Sequence, residues 1–138
     1  MTVTSTDNQV IRNKELMMQP IIFQGASSVG GFSDIDAVYD VKGKALVLIE
    51  VKRRGTPLTK GQNILLDRMV MWCQKPTYAL TVWHDAEYGE DIILKDCKVQ
   101  EMIIQDPTSG RPKNKNMGDK HTVRDVVAYI EKKHGVSK

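Results

Sequence analysis

The strongest constraint on the fold is the run at residues 45–51, ALVLIEV, which is apolar at every position except Glu50. An apolar run of this length fits a central strand covered on both faces. Lys52 follows Glu50 by two residues, so the strand period of two puts carboxylate and amine on one face. Evenly solvated surface charge needs no apolar lead-in, and charge that emerges where a core strand meets water marks a candidate site. The wider stretch at 33–62, SDIDAVYDVKGKALVLIEVKRRGTPLTKGQ, reads as two strands joined by a tight turn, then a loop and the start of a helix. In the first strand Asp34, Asp36 and Val38 alternate with Ile35, Ala37 and Tyr39. DVKGK at 40–44 supplies the turn, with Gly43 free to take positive φ. Antiparallel pairing about that turn brings the aspartates to the strand end that carries Glu50 and Lys52.

The rest of the chain supports this centre. Residues 1–6 are small and polar and are expected to fray. Asp7 or Asn8 can cap a helix running through Met18, with Val10, Ile11, Leu16, Met17 and Met18 for its inner side. Pro20 stops it, 21–23 suits a short strand, and GASSVGG at 25–31 is a flexible loop without the GK[ST] of a phosphate loop. Thr59 is the predicted cap of a helix over 60–74, with Ile64, Leu65, Arg68, Met69 and Trp72 as its inner face. Residues 77–83 read as a strand, and 91–94 and 99–105 as further strands. Residues 106–120, DPTSGRPKNKNMGDK, read as a mobile basic loop. Thr122 then caps a C-terminal helix over 122–134, with Val123, Val126, Val127 and Ile130 at helical spacing and Gly135 as its stop. The order predicts one α/β domain over 1–138, a mixed central sheet flanked by helices.

Composition narrows the function classes only modestly. A chain of 138 residues suits one domain. A net charge of +3 permits a polyanionic partner without demanding one. Cys73 and Cys97 have no CxxC or Cys/His spacing and read as two reduced, partly buried thiols. No apolar run reaches membrane-spanning length and the N-terminus lacks a signal-peptide core, so a cytoplasmic protein without a membrane partner is expected. His84, His121 and His134 lack ligand spacing. Trp72 and Trp83 read as core or interface residues.

The central stretch carries chemistry of its own. Asp36, Glu50 and Lys52 form D-x13-E-x-K. Carboxylates gathered at a strand end repel one another unless a cation lies between them, and hard oxygen ligands suit Mg²⁺, with Mn²⁺ able to substitute. Such an ion acidifies a bound water and polarises a phosphoryl oxygen. Lys52 is placed to orient or deprotonate that water, and the Val51 carbonyl between the two side chains is a further candidate ligand. The set suits phosphodiester hydrolysis. Arg53, Arg54 and Lys60 are candidates to grip phosphates beside the cleavage site, and Arg111, Lys113, Lys115 and Lys120 to track the duplex backbone.

With a small-residue loop before it and Gln62 opening the next helix, this pattern resembles the PD-(D/E)xK nuclease superfamily. Within it, SDID, IEVK and GQ are similar to the small archaeal-type Holliday junction resolvases and related stand-alone phage or bacterial nucleases, over roughly residues 10–85. The resemblance implies a restriction-endonuclease-like core of order α-β-β-β-α-β. It also implies a Mg²⁺-dependent DNA endonuclease acting on duplex or branched DNA, working as a homodimer in the cytoplasm of a bacterial, archaeal or phage-infected cell. Met69, Met71 and Trp72 are then candidates for the dimer interface. Asp36 becomes the first metal ligand, Glu50 the second and Lys52 the catalytic lysine. Gln62 orients the nucleophile or the DNA backbone, and Glu15 matches an acidic position near the metal. Asp34 competes for the first-ligand role, and its spacing to Glu50 is the less common one. Ser33 stands where the family often has proline. The alternative is a catalytically silent nuclease-fold module that binds DNA or protein.

Overall fold

The computed structural model describes Gly25, residues 27–29 and residues 34–136, in a chain that divides into two compact units, Met1–Ser33 and Asp34–Lys138. The helix expected through Met18 with Glu15, the strand at 21–23 and most of the glycine-rich loop lie outside the described residues. In the first unit the Val29 N–H donates to Ser27 Oγ at 3.2 Å.

The second unit runs β1 (Ala37–Asp40), β2 (Leu46–Arg53), α1 (Lys60–Trp72), β3 (Thr77–His84), a 3₁₀ turn (Leu94–Asp96), β4 (Lys98–Gln105), β5 (Pro112–Thr122) and α2 (Val123–Lys133). The strands form one five-stranded sheet in sequence order. Every neighbouring pair is antiparallel except β2 and β3, which run parallel through the α1 crossover. The result is a mixed α/β fold. The β1–β2 turn holds Lys42 at φ 49 and Gly43 at φ 74, with the Lys44 N–H donating to the Val41 carbonyl at 2.9 Å. Two successive positive φ angles give a turn whose twist matches that of the strands it joins. Asp40 accepts the Gly43 N–H at 2.7 Å and holds the turn closed.

β2 is covered on both sides, as its sequence predicts. Val47 and Ile49 pack with Leu80, Val82, Val99 and Met102 of the sheet and with Val123, Val126 and Ile130 of α2. Leu48 faces the other way and packs with Ala79, Ile103 and the α1 residues Leu66 and Val70. Burying each such aliphatic side chain contributes about 1.5–3 kcal/mol. Both helices start with a capping box, Thr59 with Gln62 and Thr122 with Asp125.

Three expectations are corrected. The inner face of α1 is the line of Gln62, Leu66 and Val70, with the expected Met69 packed beside it, while Ile64, Arg68 and Trp72 are exposed, Trp72 to 68%. Leu66 and Val70 fill the space over Leu48 and Ile103, and the helix phase follows those contacts. Second, Pro112–Thr122 is a strand, with the connecting loop confined to the residues around 106–111. An edge strand pairs on one side only, so ladder bonds to β4 can hold a segment with almost no apolar content. Third, residues 91–93 form no strand and lead into the 3₁₀ turn, with Ile92 and Ile93 half exposed.

Candidate active site

The β1–β2 register builds the site. Ala37 lies opposite Ile49, so one further step sets Asp36 beside Glu50, and the Asp36 Oδ2 accepts the Val51 N–H at 2.7 Å. Asp34 and Asp36 precede the first residue of β1. Glu50 and Lys52 share the sheet face of Leu48, under the N-terminal end of α1, while Val51 packs into the opposite face. Lys52 Nζ stands 3.9 Å from Glu50 Oε1. Gln62 completes the group through the helix cap. Its Oε1 accepts the Thr59 N–H at 3.0 Å, which turns its Nε2–H toward Glu50 Oε1, also at 3.0 Å. The capping box therefore does two jobs, starting α1 and aiming an amide at the buried carboxylate.

Glu50 is 6% exposed. Burial raises its carboxyl above the usual range, the negative charge of Asp36 raises it further, Lys52 pulls it down, and Asp34 adds a smaller upward push. A buried acid pushed up by other acids and held by one amine and one amide is the electrostatic state that a cation would relieve. Among the described residues no group of three or more His, Cys, Asp or Glu side chains is arranged to hold a metal ion. Mg²⁺ does not require one, because it keeps several waters and is held through one or two carboxylates plus substrate phosphates. Asp36 and Glu50 supply such a pair, and the donor set fits. Glu15 lies outside the described residues.

The basic residues separate into distinct environments. Arg53 is exposed and lies 3.7 Å from Glu87. Arg54 is committed elsewhere. It bonds Asp85 at 2.6 and 3.0 Å, bonds Asp119, and lies over the Trp83 ring at 5.7 Å. Lys60 is exposed at the first turn of α1. Lys113 and Lys115 pair with Ile104 and Met102, whose side chains belong to the α2 face, so these lysines stand on the sheet face opposite Glu50. Arg111 is exposed in the β4–β5 turn and Lys120 near the end of β5. The structure thus gathers Asp36, Glu50, Lys52 and Gln62 and sets the basic strand apart from them.

The sheet also extends the site in a direction the motif does not indicate. Glu50 pairs with Thr81, Thr81 with Glu101, and Glu101 with Asn116. A row of polar residues therefore crosses from β2 to β5 at the level of Glu50. The available signal was Thr81, a hydroxyl buried in the middle of the apolar strand TYALTVW. Cys73 and Cys97 are both free, and burial pushes the Cys97 thiol up. No helix among the described residues is long and apolar enough to cross a membrane. No family model, curated protein or solved structure matches the chain.

Proposed function

We propose that the chain is a Mg²⁺-dependent DNA endonuclease built on a restriction-endonuclease-like core, acting on duplex or branched DNA. One observation carries the reading. A buried glutamate lies beside an aspartate and is contacted by a lysine and a helix-capping glutamine, all at the end of one core strand. A Mg²⁺ ion bound by Asp36 and Glu50 would supply an acidified water and a polarised phosphoryl oxygen. Lys52 offsets the charge that builds on the phosphate in the transition state. Gln62 keeps Glu50 oriented toward the site. Hydrolysis forms one P–O bond from water and breaks one P–O bond to a sugar oxygen, which takes up a proton.

Cleavage of labelled linear, single-stranded, flap and four-way-junction DNA with Mg²⁺, Mn²⁺ or EDTA tests this reading. Wild type is expected to cut only with metal, and Lys52→Ala to lower the rate by about 10²-fold or more. The substrate cut fastest separates a junction resolvase from a general nuclease. The mild net charge and Ser33, which stands where the resemblance expects proline, favour a second reading, a silent module that binds DNA or protein. That reading predicts no cutting by wild type and binding untouched by loss of Glu50 and Lys52.

A further inference from the structure

Arg54 stands on the sheet face of the candidate site. Trp83 is the cross-strand partner of Lys52, and residues paired across neighbouring strands project to one face. The Arg54 guanidinium lies 5.7 Å from the centroid of the Trp83 ring, so it shares that face just past the end of β2. Its side chain keeps 38% of its surface exposed. An arginine fork in this position is suited to hold a backbone phosphate. Two carboxylates hold it instead. Asp85 accepts from Nε and Nη2 at 2.6 and 3.0 Å, and Asp119 accepts from Nη1.

The two acids are held very differently. Asp85 directly follows β3, the parallel neighbour of β2, and engages the fork through both of its oxygens. Asp119 belongs to β5, and β3 and β4 lie between that strand and β2. It reaches Arg54 from a wide irregularity in β5. Val99 pairs with His121 and Glu101 with Asn116, so two steps along β4 face five along β5. Inside this bulge Gly118 and Asp119 take φ angles of 65 and 63. The left-handed region is costly for a residue other than glycine, and strain of this kind gathers at switch regions and ligand clamps. Asp119 holds Arg54 through Oδ2 alone, and its Oδ1 is buried without a hydrogen-bond partner among the described residues. A buried acceptor left unpaired is destabilising. The chain therefore sets Asp119 on Arg54 at a cost in backbone conformation and in hydrogen bonding, from an edge strand paired on one side only.

We propose that Asp119 masks Arg54 and that a DNA backbone phosphate displaces it; the inference rests on the nuclease reading above. The phosphate takes over Nη1, while Asp85 keeps Nε and Nη2 and aims the guanidinium. Asp119 is the acid that yields, because it contributes one hydrogen bond from a strained backbone against the two that Asp85 makes. Its release frees the orphaned Oδ1 to meet water and lets the bulge relax. The exchange also removes a carboxylate from beside the phosphate and gives the site a second cation, two residues from Lys52. DNA that brings no phosphate to this place leaves Arg54 covered. The mask therefore favours a fully seated duplex over a loosely bound one, through the difference in what each offers to Arg54.

Fluorescence anisotropy with a short labelled DNA duplex in EDTA reads binding without cleavage. Asp119→Asn keeps a side chain that tolerates positive φ, and Asp119→Gly repeats the test with a residue that adopts it freely. Either variant should bind the duplex about tenfold tighter than wild type, and the slope of log affinity against log salt should steepen by about one. With Arg54→Gln already present, the same change at Asp119 should alter affinity by less than about twofold. A gain that persists with Arg54→Gln reports only the loss of a negative charge and overturns the mask, as does the absence of any gain. Wild type that cuts DNA with Mg²⁺, beside an Asp119→Asn that binds no tighter, removes the mask and leaves the nuclease standing. Tighter, Arg54-dependent binding by proteins that cut nothing keeps the mask and removes the nuclease.

Discussion

Gln62→Glu is the sharpest probe of how the candidate site is built. Glutamate is a natural partner at this position of a capping box, so its oxygen can still accept the Thr59 N–H and α1 keeps its start. What changes is the atom aimed at Glu50, from an N–H donor at 3.0 Å to a carboxylate oxygen. The lost hydrogen bond to a charged group is worth about 1.5–3 kcal/mol. Two unit charges about 3 Å apart repel by roughly 5 kcal/mol at an effective dielectric constant near 20, a ceiling that proton uptake by the pair lowers. The expected penalty near pH 8 is therefore about 3–5 kcal/mol. Its sign with pH follows from linkage. Burial and Asp36 already raise Glu50, and a second carboxylate raises the folded-state value of the pair further above the unfolded value of about 4.3. The penalty is complete above the folded value, shrinks as pH falls through it, and is small by about pH 4.5. Urea titrations across this range, read as midpoint shifts at constant slope, make the measurement. Thr59→Ala is the control, with a loss of about 1 kcal/mol that does not follow pH. A Gln62→Glu penalty that stays constant with pH, or that is no larger than the control, would refute the coupling of Gln62 to Glu50.

The same logic makes Glu50→Gln stabilising above the folded pKa of Glu50, because ionised Glu50 is disfavoured there by burial and by Asp36. A higher Tm with lost cleavage is expected, and a lower Tm would show that Glu50 contributes to stability. Tyr39 donates to Glu131 Oε2 at 2.7 Å, and this bond pushes its phenol up to about 12. Stability from Tyr39 is complete below about pH 10 and is lost as pH rises through the folded value, so Glu131→Gln should return one tyrosine to the ordinary range in an ultraviolet titration. No change in that titration would contradict the assignment. Arg54 ties the end of β2 to Asp85 and Asp119 at the surface. Arg54→Lys should lower Tm, and by less at about 1 M salt, where screening weakens the ion pairs. An equal drop at both salt concentrations would assign the effect to packing on Trp83 instead.

The parts legible in the sequence share one property, a local pattern tied to a specific physical need. ALVLIEV required burial on two sides, DVKGK required positive φ at Gly43, and Thr122 with its valines required a cap and an apolar stripe. Each appears in the structure where its chemistry places it. What escaped the sequence was set by partners elsewhere in the chain. β5 has the proline, lysines and glycine of a loop, yet these are also the residues that guard an exposed sheet edge, and pairing with β4 decides between the two. The phase of α1 depends on which residues reach Leu48 and Ile103, not on hydrophobicity alone, for Ile64 and Trp72 are as apolar as Leu66 and Val70. That phase matters to the site. Gln62 lies on the inner line with Leu66 and Val70, so the contacts that seat the helix also deliver the amide to Glu50. Three long-range agreements therefore meet at one carboxylate: the hairpin register that brings Asp36, the parallel pairing that sets Thr81 beside it, and the helix phase that brings Gln62. A carboxylate with only a structural role would gain little from so costly a placement, since an apolar side chain would pack there without the desolvation of a charge. That convergence is what supports the proposed role of Glu50.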